Sequence, residues 1–162
     1  MASAKAILDR LEKAFDRGLF PNELLLIRAE IQADEVSRGK IKEYDITQAK
    51  GSEQGKFNRA VTGIPFGDSL AVRKQENTSY EPWAIDHIPT GLRLSSFPSK
   101  KLASLVAATL STHATSKLSS GDASEAVGSM GSTLKAWLMS VKASGTWEDY
   151  DAFKVTHEAL AA

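Results

Sequence analysis

Residues 83–97 read WAIDHIPTGLRLSSF, and this stretch decides the fold because an alternating pattern continues on both sides of a tight turn. Apolar and polar side chains alternate before and after Pro89-Thr90-Gly91, which is the pattern of two half-buried strands. Proline fixes one φ and glycine tolerates a positive φ, so these three residues predict the turn between the strands. The stretch therefore predicts a β-hairpin.

A further strand and a helix extend this hairpin on its two sides. Leu70 and Val72 alternate in the run that begins at Ser69, and the cluster at 77–79 (Asn-Thr-Ser) supplies turn-forming residues before the hairpin. After the hairpin, apolar residues from position 102 to 110 recur at helical spacing. Residues 69–112 are therefore predicted to form a three-stranded antiparallel meander closed by one amphipathic helix.

Helical patterns flank this unit. Residues 1–38 predict an N-terminal helical hairpin, and residues 122–160 predict a pair of C-terminal helices. The segment 39–68 is rich in Gly, Lys, Gln, Ser and Asn and predicts a long loop, although Ile41, Tyr44 and Ile46 suggest a short strand. We therefore expect one α+β domain over all 162 residues.

Charge is distributed unevenly along a chain whose net charge is zero. Residues 37–117 hold twelve basic against seven acidic residues, whereas both flanking segments are acidic, so an acidic partner is attracted to the centre. The chain has no cysteine, which fits a reducing compartment. It also has no long apolar run and no secretory leader pattern. We expect a cytoplasmic protein that does not bind a membrane.

The sequence contains no pattern that predicts catalysis. Asp86 and His87 are neighbours on a predicted strand, so their side chains face opposite sides and cannot form an acid–base dyad. The three histidines lack the spacing of a metal site, and neither a nucleophile turn nor a phosphate-binding glycine loop occurs. We expect no enzyme activity, no cofactor and no metal. A hydrolase that uses His87 or His113 is the least favoured alternative.

Basic and aromatic residues concentrate in the meander and at the start of its helix. If Leu70 and Val72 point into the core, Arg73 lies on the opposite face of the sheet, and such a face can enter a groove of DNA. The alternative is that these charges have no binding role, since any sheet with one face in solvent carries charged residues on that face. The predicted contact set for a nucleic acid or another partner is Arg73, Lys74, Tyr80, Arg93, Lys100 and Lys101.

The segment from Trp83 to Leu92, followed by Phe97, Ser99, Lys100, Lys101 and Ala103, resembles small uncharacterised proteins of phages and other mobile elements. The resemblance implies a non-catalytic accessory protein in the host cytoplasm. Such a protein would bind a nucleic acid, or would inhibit a host complex that processes nucleic acid in defence. The alternative is an assembly protein of a phage particle, in which the helices of residues 122–160 form a homo-oligomer.

Overall fold

The computed structural model describes residues 4–16, 21–36, 41–49, 56–75 and 80–161. It is an α+β fold in which five antiparallel strands lie in the order of the sequence. The elements are α1 (Ala4–Asp16), α2 (Pro21–Val36), β1 (Lys42–Ala49), β2 (Lys56–Phe66), β3 (Leu70–Lys74), β4 (Trp83–His87), β5 (Leu92–Phe97), α3 (Lys100–His113), a 3₁₀ turn (Ser116–Ser119), α4 (Ala123–Gly128), α5 (Gly131–Ser144) and α6 (Tyr150–Ala161).

The predicted meander is confirmed as strands β3, β4 and β5. Gly91 ends the connecting turn with a φ of +69°, a conformation that favours glycine. The helix that closes the sheet, α3, begins after Ser99, whose hydroxyl accepts a hydrogen bond from the Leu102 amide at 3.1 Å. The turn predicted at 77–79 lies outside the described residues.

The prediction of a long loop over residues 39–68 is wrong, and so is the count of three strands. This segment contributes strands β1 and β2, which pair over eight residues from Lys42 opposite Gly63 to Ala49 opposite Lys56. Tyr44, Ile46 and Val61 of this hairpin belong to one apolar cluster, whereas Ile64 and Phe66 at the end of β2 join the main core. Polar residues and glycines separate these apolar residues along the chain, so the segment lacks the continuous alternation that predicts a strand.

The main core lies between one face of the sheet and α3. Leu70, Val72 and Ile85 project from the strands onto Val106 and Leu110 of the helix, and all five side chains are buried. Side chains at alternate positions of a strand share a face, so this packing assigns the intervening strand residues to the opposite, far face of the sheet. The sheet therefore has one face that packs against α3 and an opposite, far face.

Helices form at both ends of the chain as predicted, but their number differs from the prediction at the C-terminal end. The N-terminal pair α1 and α2 is confirmed, whereas residues 122–160 form three helices. Gly131 takes a φ of +68° and separates α4 from α5. Asp122 caps α4, since its carboxylate accepts a hydrogen bond from the Glu125 amide at 3.2 Å. Among the described helices, none combines the length and apolar character needed to cross a bilayer.

Candidate functional site

The far face of the sheet is covered by the β1–β2 hairpin. Tyr44, Ile46 and Val61 from the hairpin form a second apolar cluster with Ala71 of β3, and Ile88 packs against it. Adjacent strands lie about 4.8 Å apart, so β1 and β4 would stand about 14 Å apart in a flat sheet. The Tyr44 hydroxyl nevertheless reaches a side chain of β4. The sheet therefore coils, which brings β1 over its far face.

A buried charge cluster lies beneath this hairpin. Asp86 of β4 is fully buried and receives three hydrogen bonds from two side chains. The Arg73 Nε and Nη2 atoms donate to its two carboxylate oxygens at 2.7 and 3.4 Å, and the Tyr44 hydroxyl donates to Oδ2 at 2.7 Å. Because a buried carboxylate is stable only when paired, these donors compensate for its lost hydration.

The cluster shifts the acid–base behaviour of both donors. Burial raises the pKa of the Tyr44 phenol far above its usual value, and the hydrogen bond to Asp86 together with the negative charge of Asp86 raises it further. For Arg73, burial opposes the charge, but its hydrogen bond to Asp86 and the negative charge of Asp86 leave the pKa above its usual value. The tyrosine thus stays neutral and the guanidinium stays charged.

Gly63 of β2 makes room for the Tyr44 ring. A Cβ atom at this position would lie 2.8 Å from the Tyr44 hydroxyl oxygen and 2.9 Å from the Val72 carbonyl oxygen. Both distances are shorter than van der Waals contact, so only glycine lets the phenol pass β2 toward Asp86. This glycine is therefore required by a close approach and not by a positive φ.

The expectation that Arg73 is exposed to solvent is wrong. Arg73 does lie on the face opposite Leu70 and Val72, as the alternation predicts, but the β1–β2 hairpin covers that face and only 8% of the residue is exposed. Its guanidinium is held by Asp86. An arginine in this position cannot reach into a groove of DNA as an exposed sheet residue would.

Three other members of the predicted contact set lie at the end of β3, in the connection that follows it and at the start of α3. Lys74 is exposed and pairs in register with Trp83, and the Lys100 ammonium lies 5.9 Å from the centroid of the Trp83 ring. Tyr80, which is 88% exposed, stands in the connection between β3 and β4. We name Lys74, Tyr80, Trp83 and Lys100 the sheet-end patch.

The last two predicted contact residues make ion-pair or polar contacts of their own. Lys101 lies next to the sheet-end patch, and its ammonium is 2.7 Å from the carboxylate of Glu30 on α2. Arg93 is exposed on β5 and donates to the Gln75 side chain at 2.8 Å. The structure therefore places Lys100 beside Trp83, the register partner of Lys74, whereas Arg73 is held in the buried charge cluster and Arg93 contacts Gln75.

His87 and His113, the two histidines considered for hydrolysis, both contact neighbouring residues of the fold. His87 is buried, its Nδ1 atom lies 2.8 Å from the Thr90 hydroxyl, and its Nε2 atom contacts the Leu118 carbonyl. His87 and Asp86 project to opposite faces, as predicted. His113 packs against the Tyr150 ring with 4.6 Å between centroids. In the described part of the chain, no group of three or more His, Cys, Asp or Glu side chains could hold a metal ion.

The C-terminal helices expose apolar side chains. Met139 on α5 is 72% exposed, and Val155 and Leu160 on α6 are 71% and 82% exposed. Isolated exposed apolar residues are common on monomers. The homo-oligomeric assembly protein therefore stays a hypothesis.

The raised pKa of Tyr44 predicts a loss of stability in base. An unfolded tyrosine ionises near pH 10, whereas Tyr44 in the folded protein holds its proton to higher pH, so its contribution is complete below pH 10 and falls as pH rises above it. We expect the free energy of unfolding to fall by up to about 1.4 kcal/mol per pH unit in this range from this group alone. Urea unfolding of the wild type and of Tyr44→Phe between neutral pH and strong base measures the difference. Equal pH slopes for the two proteins would contradict the prediction.

Comparison with known proteins returned no matching family model, no matching curated protein and no matching solved structure. The resemblance of residues 83–103 to phage proteins stays a hypothesis.

Proposed function

We propose that this protein is a non-catalytic binding protein whose partner is a nucleic acid, and that it holds a single strand at the sheet-end patch. The observation that carries the proposal is the position of Tyr80. An aromatic ring that is 88% exposed lies in the connection that follows Lys74 and precedes Trp83, and the Trp83 ring lies beside the Lys100 ammonium. A phage accessory role, directed at nucleic acid or at a host complex that handles it, agrees with this proposal.

Single-stranded nucleic acids are held by two features in combination, and the patch offers both. Ammonium groups compensate the phosphate charges along the strand, and exposed aromatic rings stack on bases whatever their identity. Lys74 and Lys100 supply the charges, Tyr80 supplies the ring, and Lys101 adds a neighbouring charge whose exposure is 60% although it pairs with Glu30. Lys74 and Trp83 lie where β3 ends and β4 begins, at one end of the inner strands of the sheet.

Fluorescence anisotropy with a labelled single-stranded oligonucleotide tests the proposal. We expect binding at about 50 mM salt that weakens steeply toward about 200 mM salt. Tyr80→Ala should weaken binding by about tenfold, since stacking contributes about 1–3 kcal/mol per base, while Tyr80→Phe should retain most of the affinity. The Lys74→Ala/Lys100→Ala variant should reduce the salt dependence by about two phosphate contacts.

A second pair of lysines provides the matched control. Lys117 and Lys154 are exposed and lie away from the sheet-end patch, on the 3₁₀ turn and on α6. Lys117→Ala/Lys154→Ala removes the same charge and should leave the affinity and the salt slope nearly unchanged. Equal losses in the two double variants would mean that only net charge matters. Absence of binding at low salt would refute the nucleic-acid proposal and favour a protein partner.

A further inference from the structure

A cleft of about 410 Å³ is lined by residues of three helices, α1, α2 and α3. Its charged lining consists of Arg10 on α1, Glu30 on α2, and Lys100 and Lys101 on α3. Lys100 also belongs to the sheet-end patch, where its ammonium lies 5.9 Å from the centroid of the Trp83 ring. The cleft and the sheet-end patch are therefore continuous through Lys100.

Positive charge exceeds negative charge in this cleft after its ion pairs are counted. The Glu30 carboxylate contacts both the Arg10 guanidinium and the Lys101 ammonium, the latter at 2.7 Å. One carboxylate compensates only one of these two cations, and no second carboxylate occurs among the described residues that line the cleft. Lys100 contacts an aromatic ring, which attracts a cation but carries no net charge. Three cations and one anion therefore leave two positive charges.

The two cations that share Glu30 are accessible and repel each other. The Arg10 and Lys101 side chains are 38% and 60% exposed, whereas the Glu30 side chain between their charges is only 10% exposed. Burial lowers the pKa of the Lys101 ammonium, and the positive charge of Arg10 lowers it further. A second anion in the cleft would reduce this repulsion.

We infer that the nucleic-acid strand proposed to bind at the sheet-end patch continues into this cleft, where Arg10 and Lys101 contact its phosphate groups. This inference rests on the proposed function. A guanidinium matches the geometry of phosphate oxygens, and an ammonium adds a point charge. Each phosphodiester of a strand carries one negative charge, so the excess charge of the cleft suits a polyanion that passes from Lys100 to Arg10.

An acidic peptide is the other polyanion that such a cleft could attract. The position of the cleft beside the patch favours a nucleic acid, because the aromatic rings of Tyr80 and Trp83 offer stacking surfaces for bases. Carboxylate side chains make no comparable use of these rings.

Single-stranded oligonucleotides of two lengths test the inference, since a strand of about four nucleotides fills the patch and one of about twelve also reaches the cleft. In fluorescence anisotropy with the full chain, we expect the long strand to bind the wild type more tightly than the short one. Arg10→Gln should weaken binding of the long strand by about fivefold to tenfold and lower its salt slope by about one phosphate contact. Binding of the short strand should not change.

Three further variants serve as controls for this measurement. Lys5 is exposed on the same helix as Arg10 and does not line the cleft, so Lys5→Gln removes an equal charge and should bind both strands as the wild type does. Arg10→Lys keeps the charge and should keep most of the long-strand affinity. Lys101→Gln leaves the contact between Arg10 and Glu30 in place and should reproduce the loss. Circular dichroism of each variant checks that the fold is retained.

The outcomes separate this inference from the proposed function. Equal losses in Arg10→Gln and Lys5→Gln, or equal losses for both strand lengths, would overturn the inference and leave the proposed function intact. Absence of binding for both lengths would overturn both. An oligoglutamate peptide that bound as tightly as the long strand, with the same loss in Arg10→Gln, would assign the cleft to an acidic protein and overturn the inference. Long-strand binding that depends on Arg10 but not on Tyr80 would refute a continuous path between the patch and the cleft.

Discussion

Replacing Asp86 by Asn is expected to destabilise the protein by about 3–5 kcal/mol, because it leaves the Arg73 guanidinium buried without a counter-charge. Asn is nearly the same size as Asp, so the loss does not come from a cavity. Since small domains are stable by only about 5–15 kcal/mol, this single change removes a large part of the total. The free energy of unfolding in urea, with the slope against denaturant as a check on two-state behaviour, measures the effect.

Two further variants separate the unpaired charge from general disruption at the site. In Asp86→Leu/Arg73→Met, both charges are absent, so we expect much of the lost stability to return although two side chains have changed. Asp151→Asn removes an exposed carboxylate from the first turn of α6 and should stay within about 0.5 kcal/mol of the wild type. If the double variant were as unstable as Asp86→Asn, the unpaired charge would not be the cause.

The sequence predicts the meander well because its signals are local. Strands β3, β4 and β5 alternate in hydrophobicity over short runs, and the turn at 88–91 contains a proline and a glycine at suitable positions. The β1–β2 hairpin was not predicted, because Tyr44, Ile46 and Val61 on its buried side lie in a segment rich in polar residues and glycine. The hairpin is buried by packing against the far face of strands that come later in the sequence. A local sequence pattern does not contain that information.

The sequence alone predicts only part of the buried charge cluster. Asp86 follows the apolar residues of a predicted strand, and an acidic residue in that setting is a signal of a buried, paired charge. Its partners are 13 and 42 residues away, so spacing along the chain does not identify them. The alternation placed Arg73 on the correct face, and the error was to assume that this face meets solvent.

Gly63→Ala is expected to destabilise the protein by about 3 kcal/mol. The added Cβ would lie 2.9 Å from the Val72 carbonyl oxygen, which belongs to the backbone of the paired strand, and 2.8 Å from the Tyr44 hydroxyl oxygen. Overpacking costs about 1–3 kcal/mol, and displacing the phenol also weakens a hydrogen bond to a buried carboxylate that contributes about 1.5–3 kcal/mol. Urea unfolding again provides the measurement, with Gly128→Ala as the control, because a Cβ on Gly128 meets no atom within 4 Å.

A double-mutant cycle with Tyr44→Phe distinguishes the two parts of this cost. Phenylalanine lacks the hydroxyl that collides with the new Cβ, but the contact with the Val72 carbonyl oxygen remains. We therefore expect Gly63→Ala to cost less in the Tyr44→Phe protein than in the wild type, with a coupling of about 1–2 kcal/mol. Equal costs in both backgrounds would mean that the backbone contact alone excludes a side chain at position 63. A positive coupling would instead show that glycine is needed here because it lets Tyr44 reach Asp86, so that a missing side chain on β2 supports the buried charge cluster.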